Sequence, residues 1–172
     1  LSEVNRGSYV VSVGEMSPRK GFDFLVKSIG RVPGPMRPQL KLACNRIELA
    51  ELRYIQDLAE NLEVDLEVRS NLNSADLATM YNQARLCAYA PVKEPFGLVP
   101  LEAMACGTAV VGVNEGGVKE SVLHEKTGFL VDRDEDQFAE AIQQLMLQPE
   151  LAEEYGQNGR RHVQENWTWS QS

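Results

Sequence analysis

The chain has 172 residues, 43% of them hydrophobic, and a formal net charge of -8 from 17 Lys plus Arg against 25 Asp plus Glu. That length and apolar share suit one domain with a real core. The acidic balance repels phosphodiester backbones and anionic headgroups and argues against nucleic acid as a partner, so an anionic ligand must be held locally by a few placed cations and helix N-termini.

In chain order, Tyr9-Val10-Val11-Ser12-Val13 is a short β-branched run ending at Gly14, followed by a Ser-Pro turn and a helical stretch from Phe22 to Ile29. Gly30 to Pro38, with three prolines and two glycines, reads as a surface loop. Leu40 to Ala43 then precedes a helix over Ile47 to Asn61, and Leu66-Glu67-Val68 precedes a helix with Ser74 as its N-cap. Leu86 to Ala90 leads through a Pro-rich loop into a helix from about Val99 to Cys106, closed by Gly107 in the C′ position. Ala109 to Val113, a helix around Val118 to Leu123, a turn at Thr127-Gly128 and the strand Phe129-Leu130-Val131 follow. Two helices, Asp136 to Leu147 and Glu150 to Glu165, finish the chain on either side of Pro149. Strands that alternate with crossover helices and are apolar on both faces predict a doubly wound parallel α/β sheet, Rossmann-like, with helices on both faces and residues 1–172 forming one domain. Ligands of such sheets sit beyond the carboxyl ends of the strands, which points to the loops after Val13, Ala43, Val68, Ala90 and Val113.

Cys44, Cys87 and Cys106 are odd in number and lie among small or apolar neighbours, as buried free thiols of a reducing compartment do. Neither His124 nor His162 has the Cys, His or carboxylate spacing of a metal site, so no metal is expected. The most apolar stretch, Leu98 to Val113, is interrupted by Pro100, Glu102 and two glycines and is too short to span a bilayer. With no signal-peptide pattern at Leu1-Ser2-Glu3, a cytoplasmic location is expected.

The segment from Pro91 to Gly107 carries the chemistry. Pro95 makes Glu94 extended, Gly97 permits close backbone approach, and Pro100 suits the first turn of a helix. With Pro100 as the first helical residue, the N-cap is Val99, whose side chain accepts no hydrogen bond. The amides of Gly97, Leu98 and Val99 are then open to a phosphate or to sugar hydroxyls, unless water or Glu102 reaching back from the first turn satisfies them. Glu94 and Glu102 bracket this turn, a spacing that lets two carboxylates take hydroxyls while the amides take a diphosphate between them. A solvated loop charge at Glu94 and a dipole-stabilising glutamate at Glu102 are the plainer alternatives.

Glu94-Pro95-Phe96-Gly97-Leu98, Leu101-Glu102-Ala103-Met104-Ala105-Cys106-Gly107-Thr108-Ala109-Val110-Val111, Gly116-Gly117, Glu120 and Thr127-Gly128-Phe129-Leu130-Val131 together resemble the C-terminal, nucleotide-sugar-binding domain of family-four, group-one glycosyltransferases of the GT-B fold. Val13-Gly14 and Lys20-Gly21-Phe22 resemble that family's first loop, so the resemblance covers nearly the whole chain. It implies sugar transfer from a nucleoside-diphosphate sugar with retention of configuration, without metal or other cofactor. It further implies Glu94 on the donor sugar and Lys20 on the diphosphate, as the catalytic positions. Glu102 would take the ribose hydroxyls, and Gly14 and the Phe96, Gly97, Leu98 and Val99 backbone would line the donor. Gly116-Gly117 would be either a tight turn beside the site or a plain connection.

Two departures stand out. Glu15 occupies the place where the family usually has an arginine paired with the lysine, and Ala43-Cys44-Asn45-Arg46 replaces its Gly-x-Gly pattern; Arg19 or Arg46 could compensate. A decayed module that serves only binding or scaffolding is the competing possibility. The motifs do not choose among UDP, GDP and ADP donors. The resemblance also implies a missing N-terminal acceptor domain, with the crossing back to it beginning near Trp167-Thr168-Trp169-Ser170.

Overall fold

A computed structural model describes residues 6–167 of the chain. Six short strands, β1 (Val10–Val13), β2 (Leu40–Ala43), β3 (Leu66–Arg69), β4 (Leu86–Tyr89), β5 (Ala109–Val113) and β6 (Gly128–Val131), pair in parallel in the order β3-β2-β1-β4-β5-β6. Every residue of β4 and β5 is buried, as expected of strands covered on both faces.

The helices are α1 (Phe22–Gly30), α2 (Leu49–Asn61), α3 (Ser74–Gln83), α4 (Leu98–Ala105), α5 (Val118–Ser121), α6 (Glu135–Leu147) and α7 (Pro149–Asn166). α1 packs against α2 and α6, and α4 packs against α7, so the sheet lies between two helical layers. In α1 the buried Phe22, Leu25, Val26 and Ile29 fall at helical spacing and make one apolar stripe. The predicted doubly wound fold is thus present, and among the described residues no helix is long and apolar enough to cross a membrane.

Several boundaries differ from the expected ones. α2 starts at Leu49 rather than Ile47, because Ile47 bridges to Met16 and the Glu48 amide donates to the Met16 carbonyl, which holds the chain extended. Asn73, not Ser74, caps α3: its Oδ1 accepts the Asp76 amide at 2.8 Å. Gly107 stands where the sequence placed it, just past Cys106 with φ +71. The run after Trp167, where a crossing was expected, lies outside the described residues.

Cys44 and Cys87 are buried and Cys106 half-buried, all three free. Burial pushes the Cys44 thiol up to about 12 and lifts Cys87 well above the usual thiol range. His124 Nδ1 accepts the Leu130 amide at 3.0 Å, which commits that nitrogen to a turn.

Candidate functional site

Strand order reverses between β1 and β4, so their following loops meet at the topological switch point of the sheet. The β1 loop runs through Gly14 and Glu15 into a 3-10 turn, Pro18–Lys20, and returns through Gly21 in the left-handed conformation. A Cβ at Gly21 would collide with the Ala90 carbonyl, and one at Gly14 would press on the Lys20 stem at 3.1 Å. At Gly21 only glycine lets the two loops close up this far. The result is that Lys20 Nζ donates to Glu94 Oε2 at 3.0 Å, both side chains being about three-quarters covered.

Beyond Glu94 the chain enters α4. Gly97 is the N-cap and Leu98 the first helical residue, so Pro100 sits third rather than first. Both positions lack an intrahelical acceptor for an N–H and therefore tolerate proline equally. No side chain among the described residues caps this end. Among the described residues the amides of Gly97, Leu98 and Val99 meet no protein acceptor, while Phe96 and Leu98 hold their side chains out to solvent.

The glycine pair Gly116-Gly117 lies directly against this entry. The Gly117 amide donates to the Glu94 carbonyl at 2.9 Å, and a Cβ on Gly117 would come within 2.8 Å of the Gly97 nitrogen. Ser121 Oγ, on α5, stands 3.2 Å from the Gly97 carbonyl and 3.1 Å from that of Gly117. The pair is therefore a brace for the Glu94 to Gly97 loop, and not a mere connection.

Glu102 falls in the second turn of α4, two positions later than expected, so it does not reach back to cap the helix. Its Oε2 instead accepts the hydroxyl of buried Tyr81 at 3.0 Å. Tyr81 sits on α3, one turn after Leu77.

Leu77 lines a groove of about 310 Å³ with Val13, Gly14, Glu15, Asn45 and Arg46. A second cleft, about 210 Å³, is lined by Glu15, Arg19, Lys20, Lys93 and Glu94 among others. Glu15 is exposed and borders both, with no ion pair to Arg19 among the described residues. The second cleft gathers three cations against two carboxylates, a local reversal of the chain's acidic balance.

The family model described as Glycosyl transferases group 1 matches residues 2–162. The chain belongs to that family. This group 1 chain is 32% identical to the alpha-maltose-1-phosphate synthase of Mycolicibacterium smegmatis over 173 aligned residues, covering 94% of this chain and 44% of that protein. Its fold superposes on sucrose-phosphate synthase from Thermosynechococcus elongatus with a TM-score of 0.86 and 33% identity, across 99% of this chain and 44% of the other. It also matches the fold of Anabaena HepE, solved in complex with UDP-glucose, with a TM-score of 0.85 and 23% identity over 95% of this chain and 46% of that one. The group 1 chain thus spans somewhat under half the length of these proteins, one half of a GT-B fold.

Sequence reasoning missed three residues around this candidate site. Lys93 lines the cationic cleft but reads as one more loop charge. Tyr81 lies in a polar stretch of α3 without any motif. Arg133 follows β6, a carboxyl-edge loop left out of the expected set, although a basic residue just past a strand was a usable signal. It donates to the Ala90 and Pro91 carbonyls at 3.0 and 2.8 Å and pairs with Glu115, tying the β4, β5 and β6 loops together.

Proposed function

We propose that this chain is the donor-binding half of a retaining glycosyltransferase, in which Lys20 and the open start of α4 take the diphosphate, Glu94 the donor sugar and Glu102 the ribose. The observation that carries the proposal is the contact of Lys20 with Glu94 at the switch point, beside three amides that meet no protein acceptor among the described residues. Gly14 and the Phe96 to Val99 backbone supply close approach, and the groove between Gly14 and Asn45 has room for the nucleoside. The UDP-glucose in HepE supports a nucleotide-sugar as the ligand class.

As the bond between sugar and diphosphate breaks, negative charge grows on the departing phosphate oxygen. Lys20 and the helix amides are placed to stabilise that charge, while Glu94 holds the sugar hydroxyls. A second half, of the kind its longer relatives possess, must hold the acceptor. Without it the reactants are not fixed in one geometry, and this chain alone binds without transferring. Buried thiols accord with a cytoplasmic setting.

Titration calorimetry with UDP, GDP and ADP tests the proposal. One of them binds, and Lys20→Ala weakens it. Binding of none supports the alternative, a decayed module, to which the exposed carboxylate of Glu15 between the two grooves lends weight. Sugar transfer to a sugar acceptor by this chain alone would contradict the two-half mechanism.

A further inference from the structure

We propose that Tyr81 is a positioning residue that fixes the Glu102 carboxylate for the ribose diol; this rests on the ribose reading of Glu102 given above. Glu102 is exposed on the surface of α4, where a glutamate ordinarily samples many rotamers and binding must immobilise it. Here its Oε2 accepts the Tyr81 hydroxyl at 3.0 Å, whereas Oε1 has no protein partner among the described residues. One carboxylate oxygen is thus occupied by the protein and the other left for a ligand.

The donor is itself firmly held. Tyr81 is 2% exposed, and its carbonyl accepts Thr108 Oγ1 at 2.6 Å and the guanidinium of Arg6 at 3.3 Å. The neighbouring Met80 carbonyl accepts the Tyr9 hydroxyl at 2.6 Å. Side chains of a helix lean toward its N-terminus, so Tyr81 points from the last turn of α3 back toward the carboxyl edge of the sheet. Leu77, one turn before Tyr81 on α3, lines the groove proposed for the nucleoside, so the helix that carries the hydroxyl also borders that groove. Burial, more than the nearby Cys87 and Glu102, raises the phenol far above its usual range, so it remains a donor at every working pH.

A purely structural bond would be insensitive to the ligand's sugar, which gives the test its contrast. Parent, Tyr81→Phe and Glu102→Gln chains are titrated calorimetrically with UDP, GDP and ADP and with their 2′,3′-dideoxy counterparts. For the nucleotide that binds, Tyr81→Phe lowers affinity for the ribose form about 5- to 20-fold, leaves the dideoxy form unchanged, and adds little on top of Glu102→Gln. Replacing Tyr81 by 4-aminophenylalanine, which keeps the ring and an N–H donor, restores the preference for ribose; this variant alone decides the matter if Tyr81→Phe does not fold. A selective loss with Glu102→Gln but a parental ratio with Tyr81→Phe, or no rescue by the amino variant, overturns the positioning role alone. A parental ratio with Glu102→Gln, or no binding of any nucleotide, overturns the ribose reading and this inference with it.

Discussion

Lys20 Nζ and Glu94 Oε2 stand 3.0 Å apart, joining the loop after β1 to the loop after β4 across the point where strand order reverses. The lysine is partnered by this carboxylate, so a diphosphate bound there as proposed would share or displace it. At partial exposure the pair contributes roughly 0.2–1 kcal/mol to stability, little enough for a dianion to compete.

Glu94→Gln should therefore tighten the bare nucleoside diphosphate severalfold while weakening a nucleotide-sugar relative to it, because the lysine is freed and the sugar hydroxyls no longer meet a charged acceptor. Calorimetry with both ligands checks this. Equal tightening of the two would show that Glu94 does not meet the sugar, and no change in either would show that it meets neither sugar nor lysine in the complex.

Glu102→Gln should weaken nucleotide-sugar binding by about 1.5–3 kcal/mol, the size of a charge-assisted hydrogen bond. Its melting temperature should stay within a few degrees of the parent, since the carboxylate is exposed and only its Tyr81 bond is altered. Binding indistinguishable from the parent would reduce Glu102 to a surface carboxylate.

Glu15→Arg should tighten nucleoside diphosphate binding by roughly 1–3 kcal/mol at low salt, as expected for a charge about 4–6 Å from a phosphate in a wet site. The gain should shrink as salt rises and largely vanish in the Lys20→Ala background, because both cations act on one anion. Unchanged affinity at low salt would place the Glu15 side chain away from the phosphates.

Gly97→Ala should destabilise the fold by about 1–3 kcal/mol, since the added methyl meets Ser121 Oγ and comes within 2.7 Å of the Gly117 carbonyl. Gly34→Ala, where a Cβ meets nothing within 4 Å, should stay within about 0.5 kcal/mol of the parent. Thermal unfolding of the two variants checks the contrast, which a uniform glycine penalty would erase.

Cys44 gives a pH prediction. Its folded-state value, about 12, lies above the ordinary thiol range, so the native state holds a proton that the unfolded chain releases. The stability tied to this thiol is complete below that ordinary range and declines as pH rises toward about 12. Denaturant titrations between neutral and alkaline pH should show a shallower decline in Cys44→Ala, and iodoacetamide should reach half-buried Cys106 before Cys44.

The strands and helices were legible because each carries a local period: Phe22, Leu25, Val26 and Ile29 announce α1, and the apolar runs of β4 and β5 announce buried strands. The start of α4 was misread because proline at the first and third helical positions satisfies the same local rule. What selects Gly97 as the cap is the nearness of Gly117 and Ser121, a relation absent from the local sequence. Tyr81 and Glu102 were invisible as a pair for a like reason. They are 21 residues apart, and only the tertiary fold brings hydroxyl to carboxylate.

The brace between Gly116-Gly117 and the Glu94 to Gly97 loop has a thermodynamic consequence. Backbone meets backbone there with no side chain to compress, and the loop cannot shift without carrying the β5 to α5 turn along. Its conformational entropy is lost when the chain folds rather than when a ligand arrives. Association at this site should therefore resemble docking to a rigid surface, with a heat-capacity change set by the contact area alone and no added increment from loop ordering.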